Sequence, residues 1–455
     1  MERKNVVICG AGIAGISTAY HLAVKHGVKD VLLIDERPPL SLTSDKSTEC
    51  YRNWWPGPGN AMVSFLDHSI DLLEELAHTS NNSFHLNRRG YLYLTADKRK
   101  IPTMVAQGQD SSTLGAGPLR IHRGEANDPT YLPLNPSNFK DNPTGADLIL
   151  DQDLIKKNFP YLTENVVAGL HVRRAGWFSA QQLGHLLLTE AKTHGVQLHE
   201  GHVSGVDLKQ GKVVSVRLEG GERIPTHHFV NAAGPFLGSI AETFGVQLPI
   251  FNELHLKVST NDHLQIIPRD APLLIWNDAQ ELPWTEEEKE FLDEDESSRW
   301  LLDRFPAGVH TRPEGPPDSP IILILWEYHT LEVDPVWPPP LDPDYPEIAL
   351  RGLATMIPGL KLYFDKPPRP FLDGGYYTKT RENRPLISPL PMEGAWVIGA
   401  LSGYGLMASM AAGDLLALHI LSKSLPQYAP AFDLNRYQDP AYLELLDNWE
   451  DSGQL

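Results

Sequence analysis

A glycine-rich turn between an apolar run and a helical segment is the feature that most constrains this chain. Residues 5–10 are a β-branched apolar run of buried-strand length, and they lead directly into the turn Gly10–Gly15. The residues that follow have helical spacing up to Gly27, a common helix terminator, and a second strand is predicted to end at Asp35. This order of strand, glycine turn, helix and strand predicts a Rossmann βαβ unit.

Each glycine of the turn has its own physical reason. Gly10 permits the tight turn, Gly12 lets the backbone approach a pyrophosphate, and Gly15 allows the helix to pack closely on the strand. The start of the helix offers free N–H groups and a positive dipole to the anion, and Asp35 is placed to accept ribose hydroxyls. The predicted ligand is therefore a dinucleotide, although the turn alone does not separate FAD from NAD. The contacts predicted here are Gly10, Gly12, Ile13, Ala14, Gly15, Asp35 and Glu36.

Two later stretches also predict a close approach of backbone to ligand. Residues 229–234 form a predicted strand that ends in small residues. Residues 396–417 are a predicted strand, a turn punctuated by Gly403 and Gly405, and a helix. These glycines expose N–H groups at a helix start, which suits the polarised end of an isoalloxazine ring. The alternative is a second βα turn without a ligand.

Together the three stretches resemble the D-amino-acid oxidase superfamily of flavoproteins, and within it the branch of monomeric sarcosine oxidase, glycine oxidase and dimethylglycine dehydrogenase. The resemblance covers nearly the whole chain and includes residues 375–380 and 384–387, which look like the strand before the family's C-terminal flavin segment. It implies FAD and a mixed α/β and α+β fold, in which a Rossmann-type FAD-binding domain is interleaved with a substrate domain built on a mainly antiparallel sheet. The further FAD contacts predicted are Ser44, Ser47, Thr48, Cys50, Val203, Ala232, Ala233, Gly234, Gly403, Tyr404, Gly405, Leu406 and Met407.

The domain organisation follows from the same resemblance, in a chain of 455 residues that exceeds one typical domain. Within the FAD-binding part, residues 203–208 and 213–218 are predicted to form a hairpin beside the adenine. Residues 431–455 are expected to be a C-terminal tail that packs on the FAD-binding domain. The predicted FAD-binding domain takes in 1–87, 150–235 and 365–430, and the predicted substrate domain takes in 88–149 and 236–364.

Four residues are candidates for the chemistry. Arg52 falls on the family's substrate-binding arginine, and a guanidinium can grip a carboxylate with two parallel N–H bonds; a salt bridge is the alternative role. Tyr377 matches the family's active-site tyrosine and would orient amine or carboxylate, unless it is an ordinary sheet residue. His255 and Lys257 alternate in phase in a strand-like segment, so both are expected on one side of it, towards either flavin or solvent. Lys257 would favour a developing superoxide electrostatically.

Two positions depart from the family pattern around the substrate. Met407 stands where monomeric sarcosine oxidase has a second carboxylate-binding cation, and Glu49 replaces a basic residue three positions before Arg52. A more acidic site would accommodate a cationic or bulkier amine. Alternatively, Glu49 is paired with Lys46 or Arg52.

Attachment of the flavin is a separate question. Gly375 stands where monomeric sarcosine oxidase has its flavin-bonding cysteine, which excludes that linkage. Cys50 lies close to the place of the flavin-bonding histidine of dimethylglycine dehydrogenase, and a thiolate there could attack the flavin 8-methyl group. We expect FAD to be held non-covalently, with a covalent link to Cys50 as the alternative.

Composition restricts the partners and the compartment. The formal charge of -19 disfavours nucleic acid, whose binders usually carry a basic face. No apolar tract is long enough to predict a membrane span, and the charged start of the chain argues against a cleaved signal peptide. Only Cys9 and Cys50 are present, so we expect no disulfide framework and a cytoplasmic location, with the peroxisome left open. We expect no metal site and a monomer or homodimer.

The sequence therefore predicts an FAD-dependent amine or amino-acid oxidoreductase. It would oxidise the C–N bond of an amino acid or a secondary or N-methyl amine to an imine, by hydride transfer to flavin N5. O2 is the favoured acceptor, with release of H2O2, and another electron acceptor is left open. The alternatives are an enzyme of a non-carboxylate or cyclic amine, and a non-catalytic flavin-binding assembly protein.

Overall fold

The computed structural model describes residues 2–133, 139 and 142–449, so parts of the predicted segments 88–149 and 431–455 lie outside the described residues. Within these residues the strands are β1 Lys4–Cys9, β2 Val31–Asp35, β3 Cys50–Arg52, β4 Tyr91–Thr95, β5 Leu119–His122, β6 Ala146–Ile149, β7 Ala168–Val172, β8 Ala175–Trp177, β9 Gln197–Glu200, β10 Val203–Lys209, β11 Lys212–Leu218, β12 Arg223–Asn231, β13 Phe251–Asn261, β14 Leu273–Trp276, β15 His310–Pro313, β16 Ile321–Leu325, β17 Phe371–Lys379, β18 Leu386–Pro389 and β19 Ala395–Gly399. The α-helices are α1 Ile13–Tyr20, α2 Ala61–Thr79, α3 Ile101–Ser111, α4 Gln152–Asn158, α5 Ala180–Thr193, α6 Leu237–Glu242, α7 Glu286–Glu294, α8 Tyr345–Met356, α9 Gly405–Ile420 and α10 Pro440–Asp447.

The first large sheet has the order β10-β11-β12-β1-β2-β9, with β19 beside β12 and β18 beside β19. Its centre is parallel, since β1 pairs with both β12 and β2 in that sense. Apolar side chains alternate along β1: Val6 and Ile8 pack against α1, α5 and α9, whereas Val7 packs against α6 and the β10–β11 pair. The predicted strand, turn and helix order is therefore present, and the predicted hairpin is the antiparallel pair β10–β11.

The second large sheet has nine strands in the order β17-β13-β16-β15-β14-β4-β7-β6-β5. Most of its pairs are antiparallel, and the exceptions are the parallel pairs β14–β4 and β5–β6. One face carries Leu274 and Ile324 and packs on α8. The opposite face carries Tyr91 and Ile275 and packs towards the helices of the first sheet. The predicted combination of a parallel, helix-covered sheet with a mainly antiparallel second sheet is confirmed.

The chain passes repeatedly between the two large sheets. It enters the second sheet after β2, returns for β9, enters the second sheet again at β13, and returns for β18. Strands β7 and β17 fall in the segments predicted for FAD binding, yet both hydrogen-bond into the second sheet. The residue boundaries given above stay a prediction.

A two-stranded sheet joins the two large units. β3 pairs with β8 so that Cys50 lies opposite Trp177 and Arg52 opposite Ala175. This short pair fixes the segment that follows the β2 loop, and it brings that segment between the first sheet's helices and the second sheet. Of the described helices, none combines the length and apolarity that crossing a bilayer requires.

Candidate cofactor and substrate site

The turn after β1 is shaped by two glycines that touch backbone. Gly10 has φ of +111°, and a Cβ there would lie 2.3 Å from the Ala232 carbonyl oxygen of β12's extension. A Cβ on Gly15 would lie 1.9 Å from the Gly10 carbonyl oxygen. A larger residue at either position would push α1 away from the sheet, so these glycines set the distance between helix and strand.

A long cleft, which we define by two adjoining cavities, runs from the turn across the end of the first sheet. The cavity at the β2 end has a volume of about 400 Å³ and the one at the α9 end about 100 Å³. Both are bordered by Gly12, Ser44 and Ala232, so they form one continuous space. The predicted cofactor residues that line it are Gly10, Gly12, Ile13, Ala14, Asp35, Glu36, Ser44, Ser47, Val203, Ala232, Ala233, Gly234, Gly403, Gly405 and Leu406.

Two helices begin at the long cleft, α1 with Ile13 and α9 with Gly405. Neither has a side-chain hydrogen bond from its N-cap residue or an acidic residue in its first turn. The Ile13 N–H donates to Ser44 Oγ at 3.0 Å, a hydroxyl from the loop after β2. Helix starts without acidic side chains carry a positive partial charge that favours anions and carbonyl oxygens. An extended space with one such helix start at its middle and another at its end fits a flavin dinucleotide.

Acidic residues border the β2 end of the long cleft. Asp35 accepts hydrogen bonds from the Ala11 N–H at 2.7 Å and the Arg37 N–H at 2.9 Å. Burial raises the pKa of Asp35, and the two backbone hydrogen bonds oppose that rise. Glu36 bonds the His202 ring at 2.7 Å. These carboxylates lie where the predicted ribose would come, and Asp35 is held in place by its own chain.

Four predicted cofactor residues besides Gly15 are not among the residues that line the long cleft: Thr48, Cys50, Tyr404 and Met407. The Cys50 thiol donates to the Thr48 carbonyl oxygen at 3.3 Å, and burial raises its pKa to about 11. A thiol that stays protonated is a poor nucleophile, so this geometry gives a covalent link no support. Tyr404 donates its hydroxyl proton to the Asn383 carbonyl oxygen, away from the glycines beside it.

Tyr377 closes the α9 end of the long cleft. Its neighbour Tyr376 donates to the Val336 carbonyl oxygen, whereas no hydrogen bond to the Tyr377 hydroxyl is found within the described residues. Burial, followed by the nearby Glu327 carboxylate, raises the pKa of Tyr377 well above its usual range. The phenol therefore stays protonated and can donate a hydrogen bond to a ligand in the long cleft.

Arg52 lies behind the long cleft rather than along it. Its side chain is buried, and its Nε donates to the Trp54 carbonyl oxygen at 3.1 Å. The guanidinium carbon is 5.2 Å from the centre of the Trp55 ring and 5.5 Å from that of Tyr91. Two aromatic rings thus hold the guanidinium in one orientation.

A buried arginine that the sequence argument did not identify contacts the segment between Asp45 and Glu49. Arg312, on β15, is fully buried, and its Nε donates to the Thr48 carbonyl oxygen at 2.5 Å. Its Nη2 lies 3.6 Å from a Glu49 carboxylate oxygen, and Nη1 is ion-paired with Glu314. Burial raises the pKa of Glu49 to about 7, against the opposing charge of Arg312. The other residues of β15 are His310, Thr311 and Pro313, so no local apolar pattern marked Arg312 as buried.

Two lysines, Lys46 and Lys257, also contact this segment, and their partners differ from those predicted from the sequence. Lys46 bonds Asp373 at 2.7 Å and lies 3.2 Å from Asp45, so an ion pair of Lys46 with Glu49 is not what the structure shows. Lys257 donates to the Asp45 carbonyl oxygen at 2.5 Å, and burial lowers its pKa. Both lysines bind the segment that borders the long cleft, although neither lines it.

His255 faces the same side of β13 as Lys257, as their alternation predicted. One ring nitrogen lies 3.0 Å from Glu253 and the other 3.1 Å from Glu327. Its ring is stacked on that of Tyr377, with 3.9 Å between ring centres and 16° between planes. Glu327, which follows β16, is a second residue that sequence reasoning missed. Among the described residues, no group of metal-ligating side chains could hold an ion.

This chain is similar to known proteins both in sequence, at the level of a family, and in fold. A family model described as DAO, FAD dependent oxidoreductase, matches residues 5–418. No curated protein matches the chain at significant sequence similarity.

Solved structures share the fold over almost the full chain. L-proline dehydrogenase from P. horikoshii is 20% identical with a TM-score of 0.72, covering 96% of this chain and 98% of that one. Glycine oxidase from Geobacillus kaustophilus is 15% identical with a TM-score of 0.72, covering 96% and 99%. Fructosyl amine: oxygen oxidoreductase (Amadoriase I) from Aspergillus fumigatus is 18% identical with a TM-score of 0.67, covering 98% and 91%. At these identities the likeness establishes the fold.

Proposed function

Because this chain belongs to the DAO family of FAD-dependent oxidoreductases, we propose that it oxidises the C–N bond of a small amine or amino acid to an imine. The observation that carries the proposal is the long cleft, with a helix start free of acidic side chains at its middle and another at its end, where the Tyr377 hydroxyl is available as a donor. FAD bound there supplies the acceptor for the hydride of the C–H bond beside the substrate nitrogen. The imine then hydrolyses in water.

The residues of this chain divide the binding of FAD between the two ends of the long cleft. Asp35 and Glu36 would hold the adenosine ribose, and Gly12 with the start of α1 would hold the pyrophosphate. Gly405 and the start of α9 would receive the polar edge of the ring system. We propose non-covalent binding, which the buried, protonated Cys50 thiol supports.

Two groups are proposed to hold the substrate, Tyr377 at the α9 end of the long cleft and Arg52 behind the cleft. Tyr377 would donate a hydrogen bond to the substrate, because its phenol stays protonated throughout the ordinary pH range. Arg52 is proposed to receive a substrate carboxylate, since two aromatic rings orient its guanidinium. Together they would hold the C–H bond towards the cofactor. Such orientation accelerates a reaction because less entropy is lost in reaching the transition state.

The substrate class is supported by the names of structural relatives. Those relatives are named for L-proline, glycine and fructosyl amine, each of which carries an amine nitrogen on an oxidisable carbon. Both oxidases and a dehydrogenase occur among them. We propose O2 as the electron acceptor, with Lys257, which contacts the segment that borders the long cleft, as the cation that favours its reduction, and a cytoplasmic monomer or homodimer.

Anaerobic reduction of the purified yellow protein tests the proposal. The panel contains N-methyl amino acids, D- and L-amino acids, cyclic imino acids and amines without a carboxylate. A substrate bleaches the flavin absorbance band near ~450 nm, and admission of air restores it with release of H2O2. Bleaching only by amines that lack a carboxylate would replace the Arg52 assignment with the non-carboxylate alternative. Stoichiometric flavin with no bleaching by any member would instead support a flavin-binding assembly protein.

A further inference from the structure

The ring that supports Tyr377 is held in an unusual way. His255 is 2% exposed, and each of its two ring nitrogens lies within about hydrogen-bond distance of a carboxylate, Glu253 on its own strand and Glu327 at the end of β16. A neutral imidazole has one N–H donor and one acceptor nitrogen, whereas an imidazolium has two donors. Glu253 is a hydrogen-bond partner of Nε2, and Glu327 is an ion-pair contact of Nδ1. Because ionised carboxylates only accept hydrogen bonds and carry negative charge, both contacts are attractive together only when His255 is protonated.

The His255 ring, held by these two carboxylates, is stacked on the ring of Tyr377. The ring centres are 3.9 Å apart and the planes differ by 16°, so the phenol rests flat on the imidazole. A cation over the face of an aromatic ring attracts it electrostatically. The register of the sheet places Tyr377 opposite Glu253 and His255 opposite Gly375, so the two rings lie diagonally across neighbouring strands.

We propose that His255 is a positioning residue for Tyr377: clamped as an imidazolium by Glu253 and Glu327, it holds the phenol ring against the α9 end of the long cleft, and its deprotonation loosens that ring. This inference rests on the proposed function for its catalytic consequence, whereas the clamp itself depends only on the contacts above.

The charged and titratable groups around His255 support the clamp from each neighbouring strand. Lys379 on β17 bonds Glu253 at 2.6 Å. Burial raises the pKa of Glu253, but the hydrogen bonds from His255 and Lys379 outweigh burial and lower that pKa, so the carboxylate is ionised. Burial opposes the charge on His255, but Glu327 and Glu253 outweigh it and raise the pKa of His255. The groups that face His255 are Glu253, Lys257, Tyr377, Lys379, Glu327 and His310.

The direction of the pH effect follows from this raised pKa. A base that is protonated more readily in the folded than in the unfolded protein stabilises the fold fully at low pH, and the contribution is lost as pH rises through the folded-state pKa. Both the stability of the fold and the rate at which substrate reduces the flavin should therefore decline on the alkaline side, above the usual range of histidine.

The experiment compares three variants of the FAD-loaded protein with the wild type. Glu327→Gln removes one acceptor, and His255→Asn removes the charge. His171→Asn is the matched control, because His171 is also fully buried in the same sheet but is bonded to Tyr131 rather than stacked on Tyr377. Each protein is measured from pH 6 to pH 10 for thermal unfolding without substrate and for the anaerobic rate of flavin bleaching by the best amine of the panel.

We expect Glu327→Gln to move the alkaline decline of both measurements to lower pH by about one unit, since an opposite charge at this distance shifts a pKa by that order. We expect His255→Asn to abolish the decline and to slow bleaching at neutral pH about tenfold, with the loss in kcat rather than KM. An unchanged decline in Glu327→Gln, or equal effects of His255→Asn and His171→Asn, would overturn the inference. The unfolding measurement decides the clamp even if no amine bleaches the flavin, so failure of the proposed function is distinguished from failure of the clamp.

Discussion

The two faces of the nine-stranded sheet differ more than any other two neighbouring regions of the molecule. The face on α8 is apolar, with Leu274 and Ile324 both fully buried. The face towards the long cleft carries His255 and Arg312, also buried, as well as Tyr377. The same strands supply both faces, because side chains alternate along a strand.

Residues of the stabilising core and residues of the candidate site therefore come from the same strands. Which group a residue joins depends on the face its side chain points to, not on its position along the chain. On β14, Leu274 belongs to the core under α8, whereas the next residue, Ile275, packs towards the first sheet. Buried charges on the cleft face destabilise the fold unless they are paired. His255, Arg312 and Lys257 each contact a carboxylate or a backbone carbonyl oxygen. Such pairing is what allows polar groups to be buried beside the long cleft.

The largest expected effect breaks the apolar face. Leu274→Ala should lower the free energy of unfolding by about 2–5 kcal/mol, since it leaves a cavity in a fully packed core. Ile275→Ala is the matched variant, with equal burial on the opposite face. Both should lose stability by chemical denaturation, but only Ile275→Ala should alter the flavin absorbance spectrum. Equal spectra in the two variants would contradict the separation of faces.

The next effect concerns the donor at the end of the long cleft. Tyr377→Phe should slow anaerobic bleaching by the best amine about 100-fold, because a hydrogen bond formed to the reacting group is removed. Unfolding should change little, since the ring and its stacking on His255 are kept. Tyr376→Phe, which removes a hydroxyl bonded to Val336 instead, serves as control. A greater rate loss in the control would show that the wrong tyrosine has been assigned.

A smaller effect tests the cation near the segment of Asp45. Lys257→Met should slow reoxidation of the reduced flavin by O2 about tenfold, which corresponds to about 1.4 kcal/mol of electrostatic stabilisation. Bleaching by the amine under nitrogen should be much less affected. Lys212→Met, at an exposed lysine of the β10–β11 hairpin, controls for loss of charge alone. Identical reoxidation in all three proteins would remove Lys257 from the oxygen step.

The smallest expected effect concerns Glu49, the carboxylate near the buried Arg312 on the cleft face. Because burial raises the pKa of Glu49 from 4.5 to about 7, the folded protein holds that proton more tightly than the unfolded chain. Wild-type stability should therefore fall as pH rises from about 4.5 to 7 on this account, and Glu49→Gln lacks that fall. The variant should gain about 1 kcal/mol relative to wild type between pH 5 and pH 6 in denaturant titrations. Glu222→Gln, at an exposed residue, should show no such gain.

Local sequence signals predicted much of the first sheet and of the long cleft. Gly10 and Gly15, the β10–β11 hairpin and the turn at Gly405 each depend on neighbouring residues, and the structure has them where they were expected. Arg312 and Glu327 could not be found in this way. Their side chains reach the site only through the register of β13, β15 and β16, and such pairing of distant segments leaves no local pattern in the sequence.

The route of the chain between its two large sheets also has a consequence for synthesis. β1 and its glycine turn leave the ribosome well before β12, whose Asn231 pairs with Cys9, and the turn at Gly405 follows much later. Until β12 has emerged, the edge of β1 that pairs with it has no partner strand, and an open apolar edge of this kind is prone to aggregation. The cofactor site is completed only once the turn at Gly405 has emerged, so yellow colour reports that synthesis has passed this turn and that the chain has folded.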